Sequence, residues 1–174
     1  MRSSLRVKKP TYIVAELPGE LAHWVKEVRQ AFEPAIAHLP AEITLAGSSG
    51  MGPILEGQIL TNVAREIKHA IRGKTDFSFR FLGVSNFEGT DIFFAKPERE
   101  GFDLLHTALK KSKVEFKETP YPFNPHCSLK GFTPLEAGQR EALEALDVPE
   151  GEFHIKCVAV YEMDETQPRK LLSI

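Results

Sequence analysis

One hexapeptide occurs twice in this chain. Glu42-Ile-Thr44-Leu-Ala-Gly47 and His126-Cys-Ser128-Leu-Lys-Gly131 align without gaps, hydroxyl on hydroxyl, leucine on leucine and glycine on glycine. They lie 84 residues apart in a chain of 174, close to half its length. Each copy reads as a strand leading through a loop to a segment opened by proline, Pro53 in one case and Pro134 in the other. Two similar lobes within one domain, each presenting one such strand, are the arrangement this repeat predicts. On a strand, side chains two apart share a face. Glu42 and Thr44 therefore project together, as do His126, Ser128 and Lys130, while Ile43, Leu45, Cys127 and Leu129 point the other way into the core. If the two polar faces meet across a cleft, they bring together a carboxylate, an imidazole, two hydroxyls and an ammonium. That set can take and give protons and hold an anion, which is the chemistry of a phosphoester.

The rest of the pattern is mixed. Thr11–Leu17 reads as a strand and Glu20 to about His38 as a helix, with Leu21, Trp24, Val25, Val28, Phe32 and Ile36 at helical spacing. Pro53 would open a helix running to about Ile71. Phe77–Leu82 and Asp91–Ala95 read as strands around a Gly83–Gly89 turn, Phe102–Leu109 and Pro134–Leu146 as helices. His126–Lys130, Gly151–Met163 and Lys170–Ile174 read as strands. Strands and helices without strict alternation indicate an α+β fold. Arg80, opposite the Phe77/Phe79/Phe81 face of its strand, is a candidate phosphate ligand if that face lines the cleft.

Composition narrows the function. The 22 Lys+Arg against 24 Asp+Glu leave a net charge of −2, without the basic excess of a general polyanion binder. Two cysteines make no disulfide framework, and no apolar run is long enough to span a membrane. A soluble, cytoplasmic protein is expected, residues 1–10 forming a basic flexible arm. No metal or other cofactor is expected. Three rival motifs fail. Gly47–Gly52 has phosphate-loop glycine spacing, but Pro53-Ile54 stands where Lys-Ser/Thr is needed. Cys127 lacks the following arginine of a cysteine phosphatase, Thr133 standing in its place. Pro40 breaks any helical His38/Glu42 metal pair. His23, His69 and His106 read as surface residues of helices, and Tyr121 and Phe123 as aromatics that could stack on a base at the cleft rim.

Asn124-Pro125-His126-Cys127-Ser128-Leu129, Thr44-Leu45, and the Phe77–Phe87 stretch with its Gly83 together resemble the 2H phosphoesterases, the 2′-5′ RNA ligase-like proteins and cyclic nucleotide phosphodiesterases. That family is marked by two His-x-Thr/Ser-hydrophobic motifs in the lobes of an α+β fold, with two antiparallel sheets around a central cleft. The resemblance implies metal-free acid/base chemistry on a 2′,3′-cyclic or 2′-5′ phosphodiester of RNA or a nucleotide. His126 then matches a catalytic histidine, and Thr44 and Ser128 match the phosphate-binding hydroxyls. The chain departs from the pattern at Glu42, which occupies the position of the first histidine. With a usual pKa near 4.3, Glu42 would be the base and His126 the acid. Two functions fit: a phosphodiesterase working through His126 and Glu42, or a catalytically impaired module that binds nucleotides or RNA ends in the same cleft.

Overall fold

The computed structural model describes residues 5–131, 133–164 and 167–174. The elements run β1 (Thr11–Glu16), α1 (Gly19–Phe32), β2 (Glu42–Ala46), α2 (Leu60–Ile71), β3 (Phe77–Phe79), β4 (Phe81–Asn86), β5 (Phe93–Pro97), α3 (Glu100–Lys110), β6 (Cys127–Lys130), α4 (Gln139–Glu144), β7 (Phe153–Ile155), β8 (Val158–Glu162) and β9 (Arg169–Ser173). All strand pairs are antiparallel, in a four-stranded sheet β2-β1-β8-β9, a three-stranded sheet β4-β5-β6 and a short pair β3-β7. The fold is α+β. Among the described residues no helix is long and apolar enough to cross a membrane.

The repeated hexapeptides sit at comparable places: β2 is an edge of the four-stranded sheet and β6 an edge of the three-stranded one, and the two edges lie against each other. The helices bring this about. α1 follows β1 in sequence yet packs on β6, turning Leu21, Val25 and Val28 inward at i, i+4, i+7 spacing. α3 follows β5 and packs on β2. Each helix thus bridges to the opposite sheet, and one apolar cluster containing Ile43, Leu45, Cys127 and Leu129 fills the space between them.

Several expected elements are divided or shortened. Gly151–Met163 is two strands because β7 pairs with β3 while β8 pairs with β1, so the chain changes sheet between Ile155 and Val158. Val158 to Tyr161 are all buried, as befits a strand in the middle of its sheet, so simple alternation ends there. The Phe77–Leu82 strand likewise divides at Arg80, and Gly83 lies at an irregularity within β4; the turn is 87–92. No helix begins at Pro53. The Pro53 carbonyl accepts from the Lys117 N–H, Gly52 N–H donates to the Lys117 carbonyl and Ile54 bridges Phe116, so helix formation waits until Leu60. The helix expected from Pro134 starts only after Gly138, whose φ of +81° suits glycine. Of the basic arm, residues 1–4 with Arg2 lie outside the described residues. The following residues are docked rather than free: Val7 is buried, Arg6 bonds to the Gly57 carbonyl and Lys9 pairs with Asp164.

Candidate functional site

A cavity of about 130 Å³ opens where β2 meets β6. Glu42, Thr44, His126 and Ser128 all line it, together with Arg29, Leu39, Pro40, Met163 and Pro168. The cavity is small and partly open, with polar side chains from both strands facing it. Strand alternation does the placing: Ile43, Leu45, Cys127 and Leu129 are fully buried, while the four polar side chains between them are half-buried.

His126 is the better anchored of the two titratable groups. Its Nδ1 lies 2.7 Å from the Asn124 carbonyl oxygen. A carbonyl only accepts, so Nδ1 carries a proton and Nε2 is the nitrogen left for chemistry. The Phe87 and Phe94 rings meet the imidazole edge-on at 5.1 and 5.3 Å and fix its plane. Burial holds His126 below the usual imidazole range, the Asn124 bond opposing it.

Glu42 titrates in the opposite direction. Burial pushes its carboxyl up to about 7, with attraction from Arg29 and repulsion from Glu16 working against each other. Among the described residues no hydrogen bond steadies its charged form. The two shifts thus run in opposite directions, carboxyl up and imidazole down. Near neutral pH the imidazole is the unprotonated partner, and the carboxyl carries a proton for much of the time. Repulsion between a fixed carboxylate and a phosphodiester is correspondingly relieved.

Arg29 is the residue that sequence reasoning missed. It lies on α1, is only 4% exposed and reaches the cavity wall. Its Nε and Nη2 both donate to the Ser128 carbonyl, at 3.0 and 2.8 Å, and Nη1 donates to the carbonyls of Leu39 and Pro40. All these acceptors are neutral. Arg29 brings a buried positive charge to the cavity without a carboxylate bound to it, and it tethers the β6 backbone beneath Ser128. A polar residue among Val25, Val28 and Phe32 on the inward side of a helix was the available signal.

Two expected contributors lie elsewhere. Lys130 is fully buried, donates to the Thr133 carbonyl and pairs with Glu33 at 3.9 Å. Glu33 in turn accepts from Gly131 N–H and from Thr133 Oγ1. Hydrogen bonds and Lys130 hold Glu33 below its usual range against the opposing effect of burial. This ammonium closes the end of β6 on Glu33 instead of facing the cavity, because the β5–β6 register slips between Ser128 and Lys130 and breaks the alternation there. Arg80 is exposed at the break between β3 and β4, with Glu152 3.5 Å away, and does not line the cavity. His106 is buried rather than on the surface: its Nδ1 contacts the Leu45 carbonyl at 2.8 Å and its ring stacks on Phe123 at 3.8 Å. Phe123 is thereby occupied, while Tyr121 stays exposed. Among the described residues no group of three or more His, Cys, Asp or Glu is placed to hold a metal ion.

The 2′-5′ RNA ligase superfamily matches the chain over residues 17–167. The chain belongs to that superfamily. Solved structures share its architecture over nearly the whole length. TT0787 of Thermus thermophilus has 20% identity and a TM-score of 0.62, covering 98% of this chain and 97% of that one. E. coli LigT, in its complex with ATP, has 16% identity and a TM-score of 0.53, covering 95% and 96%. A structure described as a phosphoesterase has 17% identity and a TM-score of 0.55, covering 95% and 97%. At these identities the likeness speaks for the 2H phosphoesterase fold. No curated protein is detectably similar to the chain.

Proposed function

We propose that this member of the 2′-5′ RNA ligase superfamily hydrolyses 2′,3′-cyclic or 2′-5′ phosphodiesters of RNA or nucleotides, with His126 as base and Glu42 as acid. One observation carries the reading: the two groups line a single small cavity, with burial moving their proton affinities toward each other. Groups that titrate near the working pH are effective in proton transfer. In the reaction, water attacks phosphorus and gives its proton to His126 Nε2. The bond from phosphorus to the ribose oxygen breaks, and Glu42 protonates that oxygen as it leaves. Thr44 and Ser128 hydroxyls bind the phosphoryl oxygens, and the Arg29 charge favours the anion. A phosphodiester bound at this small, partly open cavity could belong to an RNA end as well as to a mononucleotide. E. coli LigT has been solved with ATP, with 3′-AMP, with phosphate and with NADP+, which supports a nucleotide ligand.

The test is turnover of 2′,3′-cyclic nucleotides in the presence of a chelator. His126→Ala and Glu42→Gln are each expected to lose about 10²–10⁴-fold in kcat, the usual worth of a positioned acid or base. Wild-type rates in both variants would overturn the catalytic model. Binding of the nucleotide without turnover by the wild type would mark the protein as an end-binding module instead.

A further inference from the structure

The chain's near-neutral charge conceals one strongly asymmetric surface. Val63, Ile67 and Ile71 form the buried stripe of α2. Its outward stripe is basic: Arg65, Lys68, His69 and Arg72 follow one another at helical spacing, all exposed. These side chains line a groove of about 640 Å³, and Lys113, from the turn after α3, enters it from the other side. A groove with basic groups on two walls differs from a convex solvated helix face. The sole acid in its lining is Glu66, which is largely covered and lies 3.7 Å from Arg65. Among the described residues, Lys68, Arg72 and Lys113 have no ion-pair partner at all. Like charges lining one groove repel one another, a cost that a polyanion would relieve.

We infer that this groove binds the sugar–phosphate backbone of single-stranded RNA. From Arg65 to His69 the helix rises about 6 Å at 1.5 Å per residue, and Arg72 follows as its C-cap residue. Lys68, Arg72 and Lys113, the cations without an ion-pair partner among the described residues, would neutralise about three phosphates. His69 is the one aromatic ring among its lining residues, so the groove reads charge more than base identity. The groove shares no lining residue with the Glu42/His126 cavity, so it would hold the body of an RNA, and the two sites can be tested apart. The choice of RNA among polyanions rests on the function proposed above; the groove's charge and shape do not.

Fluorescence anisotropy with a labelled single-stranded RNA of about twelve nucleotides, within the range of single-strand site sizes, and carrying plain hydroxyl ends, reads the groove without any turnover. Wild type is expected to bind with a Kd of about 10⁻⁴–10⁻⁶ M, and log K to fall with log salt at a slope of about −2. The double variant K68E/R72E, on exposed positions and checked for an unchanged thermal melt, should weaken binding at least tenfold. His126→Ala should bind as wild type does. Undiminished RNA binding by K68E/R72E overturns the proposal, as does loss of binding in His126→Ala, which would place the RNA in the cavity. Vesicles of phosphatidylcholine containing phosphatidylserine form the comparison. If they are bound through Lys68 and Arg72 and RNA is not, the groove is a membrane-facing surface and the proposal falls. RNA binding that survives failure of the turnover assay separates the groove from the catalytic reading.

Discussion

Glu16 and Glu42 face each other directly across the β1–β2 ladder, yet their proton affinities are moved in opposite directions. Glu16 accepts from Lys170 at 2.5 Å and from the Tyr161 hydroxyl at 2.7 Å. Burial works against its charge, but hydrogen bonds from Lys170, Tyr161 and Cys157 outweigh it and keep the carboxyl below its usual range. Glu42 has no such partners among the described residues and is pushed up to about 7, chiefly by burial, with Glu16 adding repulsion.

The pair gives a first prediction. Glu16→Gln removes the repelling charge while preserving shape, so the Glu42 carboxyl should titrate lower than in wild type. Carboxyl NMR titration would read this directly. An unchanged Glu42 titration would mean that desolvation and Arg29 set its proton affinity without Glu16.

Catalysis should follow a narrow bell in pH. Activity requires neutral His126, so it rises as pH climbs through the lowered imidazole value. It also requires protonated Glu42, so it falls as pH passes about 7. The optimum of kcat/KM is thus expected on the acid side of neutrality, and Glu16→Gln should draw the alkaline limb further down. A plateau extending to about pH 9 would exclude Glu42 as the acid.

Stability carries a related signature. A carboxyl raised in the folded state binds its proton more tightly there than in the unfolded chain. Stability from this group is complete below the unfolded value of 4.5 and declines as pH rises to about 7. At 1.36 kcal/mol per unit the loss is at most about 3 kcal/mol. Glu42→Gln, which cannot ionise, should be more stable than wild type at pH 8 by roughly 1–3 kcal/mol and nearly equal to it at pH 4.5. Urea unfolding at the two pH values tests this.

Arg29 is expected to matter twice. Arg29→Met leaves the carbonyls of Ser128, Leu39 and Pro40 without their donor, at a cost of about 2–4 kcal/mol in urea unfolding. It also removes positive charge beside the cavity, so KM for a cyclic phosphate should rise and Glu42 should titrate higher. Arg29→Lys should recover part of the charge effect but little of the two-pronged hold on Ser128.

The end of β6 depends on the Glu33 carboxylate. Glu33→Ala strands the buried Lys130 ammonium and frees the Gly131 N–H, so a loss of about 3–5 kcal/mol is expected. The double variant Glu33→Ala/Lys130→Met should recover much of it. Without recovery, the ion pair would not be what holds this turn.

The repeat, the alternation within β2 and β6 and the spacing along α1 are local patterns. They were enough to indicate an α+β fold and to select Glu42, Thr44, His126 and Ser128, because side-chain direction on a strand follows from position alone. Lys130 follows the same alternation in the sequence, but the register slips between Ser128 and Lys130, and Glu33, just beyond α1, claims the ammonium. Arg80 and the Pro53 segment were settled in the same way, by Glu98 and Glu152 in one case and by the 115–117 backbone in the other. His106 and Phe123 read as separate surface and rim residues, yet their stacking closes the space beside Gly50, where φ is +72° and a Cβ would collide with the imidazole.

Read as a string, the chain specifies which side chains can share a face and that a glutamate stands where the family carries its first histidine. What that glutamate is chemically was decided by folding. Its proton affinity depends on burial in the fold, on a buried Arg29 from another element and on Glu16 across the ladder, and neither of those residues is adjacent to it in the chain. The same division holds for charge: the count of cations and anions was legible from the start, but the gathering of cations along α2 and Lys113 depends on how the chain folds.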